Sequence, residues 1–325
     1  MLKSSADTVL AFRDLPPEST AIAGGKGASL GRMAAAGLPV PPGFVISAGA
    51  FHDFLDSCGG LALIDTLTSD LDVDEAPAVA HAAHVIRQLI VSTPLPAPLA
   101  EAILAAHAAL GHRDFVAVRS SAVSEDGLTA SFAGQQETYL NVQGEDAVLD
   151  RVRDCWASFF SPRALFYRSQ KAVLGDTRMA VVVQEMVDAD KSGVLFTVDP
   201  IRNRRDCMVI EGAPGLGEAI VSGEITPDHF VVSRDDAVVF DTFVSDEARG
   251  PVLSAAELKK LRDIGLQLET FFGSPQDVEW CIRGGELFVL QSRPITTLGT
   301  KKGSGGVFPA AGDEKPLPTP FSPHG

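Results

Sequence analysis

The sequence has no apolar run of the length that a membrane-spanning helix needs, which is about 18 residues or more. Its first seven residues, MLKSSAD, contain neither the apolar core nor the small-residue cleavage site of a secretory signal. Its four cysteines are scattered without C-x-x-C spacing, a pattern typical of reduced, buried thiols and not of a zinc site. We therefore expect a cytoplasmic protein that makes no contact with a membrane.

Basic residues are few: 27 Lys and Arg stand against 42 Asp and Glu, which gives a formal net charge of −15. This balance argues against non-specific nucleic-acid binding and against an anionic membrane surface as partner. It does not argue against a small phosphorylated ligand, because a local cluster of Lys and Arg with a metal ion can hold phosphate groups in an acidic protein. A chain of 325 residues with 45% hydrophobic residues predicts a soluble globular protein with two domains or one large domain with lobes.

The stretch at residues 118–142 starts from a short apolar run at 115–118 and ends in a strand-like run at 138–142. Arg119 leaves the end of the first strand, and the loop after it carries the small-residue segment SFAGQ at 131–135. Such a loop can close over a polyphosphate, because its backbone N–H groups and the arginine fork supply countercharge. A polar hairpin connection with Arg119 as a surface charge is the alternative.

A second glycine-rich segment, AGGKG at 23–27, precedes a helical pattern at 28–36, and Gly37 suits the position just after the helix. A glycine turn that leads into a helix exposes unpaired N–H groups, and Lys26 adds a positive charge to them. The spacing is not that of a Walker A loop. A glycine turn with a surface lysine is therefore an open alternative to a phosphate site.

The rest of the chain mixes helical and strand patterns, which predicts an α+β fold. Residues 48–112 are helical and Ala-rich, and residues 147–173 form an amphipathic helix with a break at Pro162. Two apolar runs joined by a polar turn predict a hairpin of strands. The predicted strands and helices that follow are strands 179–187 and 193–198 (the hairpin), strand 207–211, a glycine turn and short helix at 212–223, paired strands 226–232 and 237–243, and a helix at 255–272.

The strands at 276–282 and 286–291, joined by two glycines, predict a second hairpin. Its register brings Glu279 close to Gln291, and Arg293 shares the strand face of Gln291. A carboxylate and an amide oxygen are ligands that Mg²⁺ accepts, and an arginine beside them could stabilise charge on a transferring phosphoryl group. An exposed hairpin face with an ordinary Glu–Arg pair is the alternative.

Five ordered segments span residues 24–297: GGKGASLG with GLPVPPGF, RSSAVSED, TASFAGQ, GLGEAIVSG, and DVEW with LQSRPITT. Together they resemble the ATP-binding domain of the phosphoenolpyruvate-utilising dikinases. That family includes phosphoenolpyruvate synthase, pyruvate phosphate dikinase and rifampin phosphotransferase. Position 123 is Val where these enzymes often carry Thr.

The resemblance implies an ATP-grasp fold with two lobes that clamp Mg-ATP between them. We expect an N-terminal lobe at 1–178, a C-terminal lobe at 179–298 and a flexible tail at 299–325. It implies that Glu279 and Gln291 bind Mg²⁺ and that Lys26, Arg119 and Arg293 act in catalysis. The residues implied to bind the nucleotide are Lys26, Arg119, Ser131, Ala133, Gly134, Gln135, Gln184, Glu185, Met186, Val187 and Glu211.

In this family the domain passes the β-phosphate of ATP to a histidine of a separate swivelling domain and leaves AMP. None of the seven histidines of the sequence lies in a Gly-rich phosphohistidine segment. We therefore expect a phosphotransferase module that needs a phosphohistidine domain, either on a partner chain or on a missing part of this one. The alternatives are a non-catalytic nucleotide-binding regulatory module, a truncated fragment, or a stand-alone kinase of a small molecule.

Overall fold

The computed structural model describes residues 8–111, 115–123, 137–170, 177–217 and 224–296, in which helices and strands are mixed as the sequence predicts. The α+β class is thereby confirmed. The elements are β1 Val9–Ala11, a 3₁₀ turn Phe12–Asp14, α1 Thr20–Ala35, β2 Gly43–Ile46, α2 Ala48–Ser57, α3 Gly60–Thr68, α4 Ala76–Ser92, α5 Ala97–Ala109, β3 Val116–Ala122, β4 Thr138–Val142, α6 Glu145–Ser158, α7 Pro162–Gln170, β5 Met179–Glu185, β6 Lys191–Phe196, β7 Cys207–Pro214, β8 Asp228–Ser233, β9 Val239–Phe243, α8 Ala255–Phe272, β10 Gln276–Arg283 and β11 Glu286–Pro294.

The described strands form two antiparallel sheets. The first has five strands in the order β1-β2-β5-β3-β4, and the second has six in the order β11-β10-β6-β7-β8-β9. The predicted hairpin of β10 and β11, the pairing of β8 with β9 and the helix α8 are confirmed. These elements could be predicted from the sequence because a tight turn or a helical period identifies each of them locally.

Two clusters of buried apolar side chains hold the sheets. In the first, α2 to α7 cover one face of the five-stranded sheet, and Trp156 of α6 stacks on Phe51 of α2 at 4.9 Å between ring centroids. The second cluster joins Val182 of the first sheet, Leu30 of α1, and Leu195 of the second sheet with α8. Since side chains of both sheets meet in this second cluster, α1 is packed between the two sheets.

Helix α1 starts earlier than the glycine pattern predicts, at Thr20, and contains one break at Gly24, whose φ is +67°. A Cβ at Gly24 would lie 2.2 Å from the carbonyl oxygen of Ser121, so only glycine fits this close approach to β3. The Ser121 hydroxyl bridges the break, because it donates to the Ala23 carbonyl and accepts from the Gly27 N–H. The predicted glycine turn before the helix is thus a one-residue break within it.

The predicted hairpin of residues 179–187 with 193–198 is wrong. Strand β5 pairs with β2 and β3 in the first sheet, whereas β6 pairs with β10 and β7 in the second. All seven residues of β5 are buried, because this strand lies in the middle of its sheet and is covered on both faces. The chain therefore passes from the first sheet to the second at residues 186–190.

The helix predicted at 147–173 is divided into α6 and α7, and the break at residues 159–161 comes just before Pro162, which opens α7. Within the described ranges no single helix combines the length and the apolar composition of a membrane span. Helices α4 and α5 reach those values only as a pair, with a bend of 73° between them.

Candidate functional site

The candidate site lies where α1 meets both sheets, and Arg119 links the two sheets there. Its strand β3 alternates: Val116 and Val118 join the first apolar cluster, while Arg119 and Ser121 lie on the opposite face, toward α1. The Arg119 Nη2 atom lies 2.8 Å from Oε2 of Glu279 on β10. Its side chain is only 11% exposed, so this ion pair is shielded from solvent on the arginine side.

Glu279 and Gln291 are directly opposed in the register of β10 and β11, as the sequence predicts. The next pair is Trp280 with Val289, so Leu290 is the extra residue of a β-bulge. The Leu290 carbonyl accepts a hydrogen bond from Arg119 Nη1 at 3.4 Å. The bulge thus gives the arginine a second partner beside the Glu279 carboxylate.

The amide oxygen Oε1 of Gln291 is buried and has no hydrogen-bond partner among the described residues. A buried acceptor without a partner costs free energy, and a bound cation or hydrogen-bond donor would remove that cost. Together with the Glu279 carboxylate it forms a donor pair that fits a hard cation such as Mg²⁺. Across the described ranges no group of three or more His, Cys, Asp or Glu could hold a metal, so phosphate or water oxygens would have to complete the coordination.

The electrostatics of Glu279 favour its ionised form. Burial raises the pKa of Glu279, but the charge and hydrogen bond of Arg119, with the charges of Lys26 and Arg293, outweigh that effect. The pKa of Glu279 therefore lies below its ordinary value. At neutral pH the side chain is the carboxylate that a cation requires.

Arg293 is held by Asp277, a residue that the sequence analysis missed. Its Nε and Nη2 atoms each lie 2.8 Å from Oδ2 of Asp277, which is its register partner on β10. Burial and the charge of Glu279 raise the pKa of Asp277, and Arg293 offsets only part of that rise. The sequence feature that could have identified Asp277 is the D-x-E spacing, because a strand places Asp277 and Glu279 on one face.

Lys26 lies two residues after the break in α1, and its Nζ atom is 3.3 Å from the Ser120 carbonyl oxygen. One turn further on, the Ser29 hydroxyl donates to the Ser292 carbonyl of β11 at 2.8 Å. Helix α1 is thus fixed to β3 at one point and to the β10–β11 hairpin at another. The structure brings together Lys26, Arg119, Gln291, Glu279 and Arg293 from three separate parts of the chain.

A row of register partners crosses the second sheet from this site. Gln291 pairs with Glu279, Glu279 with Val194, Val194 with Glu211, and Glu211 with His229. Side chains of register partners point to the same face, and here that face is opposite the one that buries Val278 and Trp280. Glu211 lies two strand spacings, about 10 Å, from Glu279.

The residues predicted at the adenine-side hinge lie where the chain leaves the first sheet. The Glu185 N–H donates to the Pro42 carbonyl at 2.9 Å, and the Met186 N–H donates to the Phe115 carbonyl at 3.1 Å. Gln184 shares the strand face of Val182, the register partner of Arg119, and Val187 is buried. Their binding role stays a prediction, and Ser131, Ala133, Gly134 and Gln135 lie outside the described residues.

The chain belongs to the family described as "Pyruvate phosphate dikinase, AMP/ATP-binding domain", whose profile matches residues 20–306. It therefore carries the nucleotide-binding domain of a phosphotransferase family.

Curated relatives extend this finding. The chain is 42% identical to a probable phosphoenolpyruvate synthase of Methanothermobacter thermautotrophicus, over 89% of this chain and 46% of the relative. It is 35% identical to the phosphoenolpyruvate synthase of Pyrococcus furiosus, over 88% and 43%. It is 40% identical to a rifampicin phosphotransferase of a Streptomyces species, over 90% and 36%. The chain thus spans less than half the length of these relatives.

Proposed function

We propose that this chain binds Mg-ATP between its two sheets, in an ATP-grasp arrangement, and acts as the nucleotide module of a dikinase-type phosphotransferase. The observation that carries the proposal is the convergence of Lys26, Arg119, Glu279, Gln291 and Arg293 where α1 meets both sheets. The two lobes would be built on the five-stranded and the six-stranded sheet. We place their boundary at residues 186–190, because β5 pairs within the first sheet.

In this proposal the Glu279 carboxylate and the Gln291 amide oxygen hold Mg²⁺. The bound metal would bridge phosphate oxygens and neutralise their charge. Arg119 lies beside the metal ligands, so its guanidinium can donate to a phosphate oxygen while it also orients Glu279. Lys26 and Arg293 add positive charge on two further sides, which is the arrangement that stabilises a transferring phosphoryl group.

The spacing along the second sheet supports an extended nucleotide. Glu211, about 10 Å from Glu279, would face the ribose. The base would lie against residues 184–187, where the chain crosses between the sheets. Ser131, Ala133, Gly134 and Gln135 keep their proposed role as backbone donors to the phosphates from the resemblance alone.

The phosphoryl acceptor would be a histidine outside this sequence. None of its seven histidines lies in a Gly-rich segment, and the relatives are more than twice as long. In the proposed reaction the histidine attacks the β-phosphorus, the bond to the α-phosphate breaks, AMP leaves, and the γ-phosphate goes to water or inorganic phosphate. A purely regulatory nucleotide-binding module would not need both metal ligands and both arginines.

Substitution of the arginines tests this proposal. Arg119→Ala and Arg293→Ala should each raise the Kd for Mg-ATP at least about tenfold, because each removes charge-assisted hydrogen bonds to phosphate. Circular dichroism should show an unchanged fold. Arg87→Ala, at an exposed position on α4, is the matched control and should bind as the original chain does. If Arg119→Ala and Arg293→Ala bind as tightly as Arg87→Ala, these residues do not serve the nucleotide.

A further inference from the structure

We propose that His229 is a positioning residue that fixes the Glu211 carboxylate and thereby sets the preference of this site for ribose over deoxyribose. The inference rests on the proposed function, because it concerns the same nucleotide. It adds a residue that neither the sequence motifs nor the metal-site geometry identified.

The two side chains are direct neighbours. Glu211 and His229 are register partners on β7 and β8, and Nδ1 of the histidine lies 3.3 Å from Oε1 of the glutamate. Both side chains are about one-third exposed, at 32% and 31% respectively, so a ligand can reach them. They lie on the sheet face that also carries Glu279.

His229 is the neighbour in this row that can orient the carboxylate. On its other side Glu211 pairs with Val194, whose apolar side chain offers no hydrogen bond. A glutamate has several rotatable bonds, and a hydrogen bond from Nδ1–H to Oε1 restricts them. Oε2 is then left to accept from a ligand.

The chemistry of a carboxylate indicates which part of the nucleotide it meets. An ionised carboxylate only accepts hydrogen bonds, so it attracts hydroxyl donors and repels phosphate oxygens. Glu211 is also separated from Glu279 by two strand spacings, about 10 Å, and from Gln291 by one strand more, so it lies away from the phosphate end of the row. The ligand groups that fit both conditions are the 2′- and 3′-hydroxyls of a ribose.

The test compares the Kd for ATP with the Kd for 2′-deoxyATP and with the Kd for 3′-deoxyATP, each measured by calorimetry in the presence of Mg²⁺. Each comparison is expressed as the ratio of the Kd for the deoxynucleotide to the Kd for ATP. For the original chain we expect one of the two ratios to be roughly tenfold, the effect of losing one hydrogen bond to a charged group. His229→Ala should lower that ratio to about threefold or less. His229→Asn should restore much of it, because the Asn amide nitrogen can occupy the place of Nδ1.

His84→Ala, at an exposed position on α4, is the matched control and should keep the original ratio. If ATP binds to every variant and His229→Ala keeps the original ratio, the role of His229 is overturned while the proposed function stands. If the folded original chain binds no ATP, both are overturned. If His229→Ala does not fold, the ratio for His229→Asn decides: a ratio well above one supports the proposal, and a ratio of one contradicts it.

Discussion

At the residue scale, Glu279 has two roles: it forms an ion pair with Arg119, and its carboxylate is one of the two proposed metal ligands. Its neighbour Gln291 has a buried acceptor that no described group satisfies. A β-bulge lies beside these residues: Leu290 is its extra residue, and the Leu290 carbonyl accepts a hydrogen bond from Arg119. The local cost of the unsatisfied Gln291 oxygen is consistent with a position kept for binding a ligand.

The charge of Glu279 gives a pH-dependent stability. Its folded pKa lies below the ordinary value of 4.5, so its ionised form contributes stability above that value, and the contribution is lost as the pH falls through the folded pKa. Glu279→Gln should therefore cost about 1 kcal/mol of unfolding free energy at pH 7. The difference should be smaller at about pH 3 than at pH 7, because protonation of Glu279 removes its charge.

Urea unfolding of both proteins at the two pH values measures this difference. Glu286→Gln is the control, because Glu286 is exposed at the start of β11. A difference between Glu279→Gln and the original chain that is the same at both pH values would contradict the ionic role of Glu279.

At the scale of elements, the break in α1 sets where Lys26 lies. The close approach of Gly24 to β3 predicts that Gly24→Ala costs about 3 kcal/mol or more, because the added Cβ meets the Ser121 carbonyl and the positive φ is disfavoured. Gly37→Ala separates the two causes. Its φ is also positive, at 72°, but no atom lies within 4 Å of the added Cβ, so its cost should be about 1 kcal/mol.

Urea unfolding of the two glycine variants gives both costs directly. Equal costs would mean that the contact with Ser121 does not hold α1 on β3. A much larger cost for Gly24→Ala would agree with the observed packing.

The features of the fold and the site that could be predicted from the sequence are those that a short segment determines. The β10–β11 hairpin follows from two glycines between alternating strands, and with it came the facing pair of Glu279 and Gln291. The sheet to which β5 belongs cannot be predicted from the local pattern. A polar segment that joins two paired strands has the same sequence pattern as one that joins strands of different sheets. The position of the Glu211–His229 pair in one row with Glu279 depends on the strand order β10-β6-β7-β8, which no short segment encodes.

At the scale of the whole molecule, the second apolar cluster joins side chains of both sheets through α1. The sequence has two tryptophans, and each reports on one cluster: Trp156 on the first and Trp280 on the second. We predict that Trp156→Phe and Trp280→Phe, each with one tryptophan left, show coincident unfolding transitions. A nucleotide bound between the sheets should stabilise both, by about 2.7 kcal/mol at a ligand concentration of one hundred times Kd.

Thermal unfolding followed by tryptophan fluorescence, with and without Mg-ATP, gives the measurement. Two separate transitions without ligand would mean that the two clusters unfold independently. A ligand-induced shift confined to the protein that retains Trp280 would mean that the ligand contacts the second sheet alone. That result would contradict binding between the two sheets.

The central claim is that Glu279 and its neighbours hold ATP through a metal ion. Calorimetric titration with ATP, in the presence of Mg²⁺ and in its absence, tests this most directly on three proteins: the original chain, Glu279→Ala and Glu286→Ala. We predict metal-dependent binding in the micromolar range, on the order of 8 kcal/mol, for the original chain and Glu286→Ala, and its loss in Glu279→Ala. Binding that needs no metal, or that survives equally in Glu279→Ala, would contradict the account.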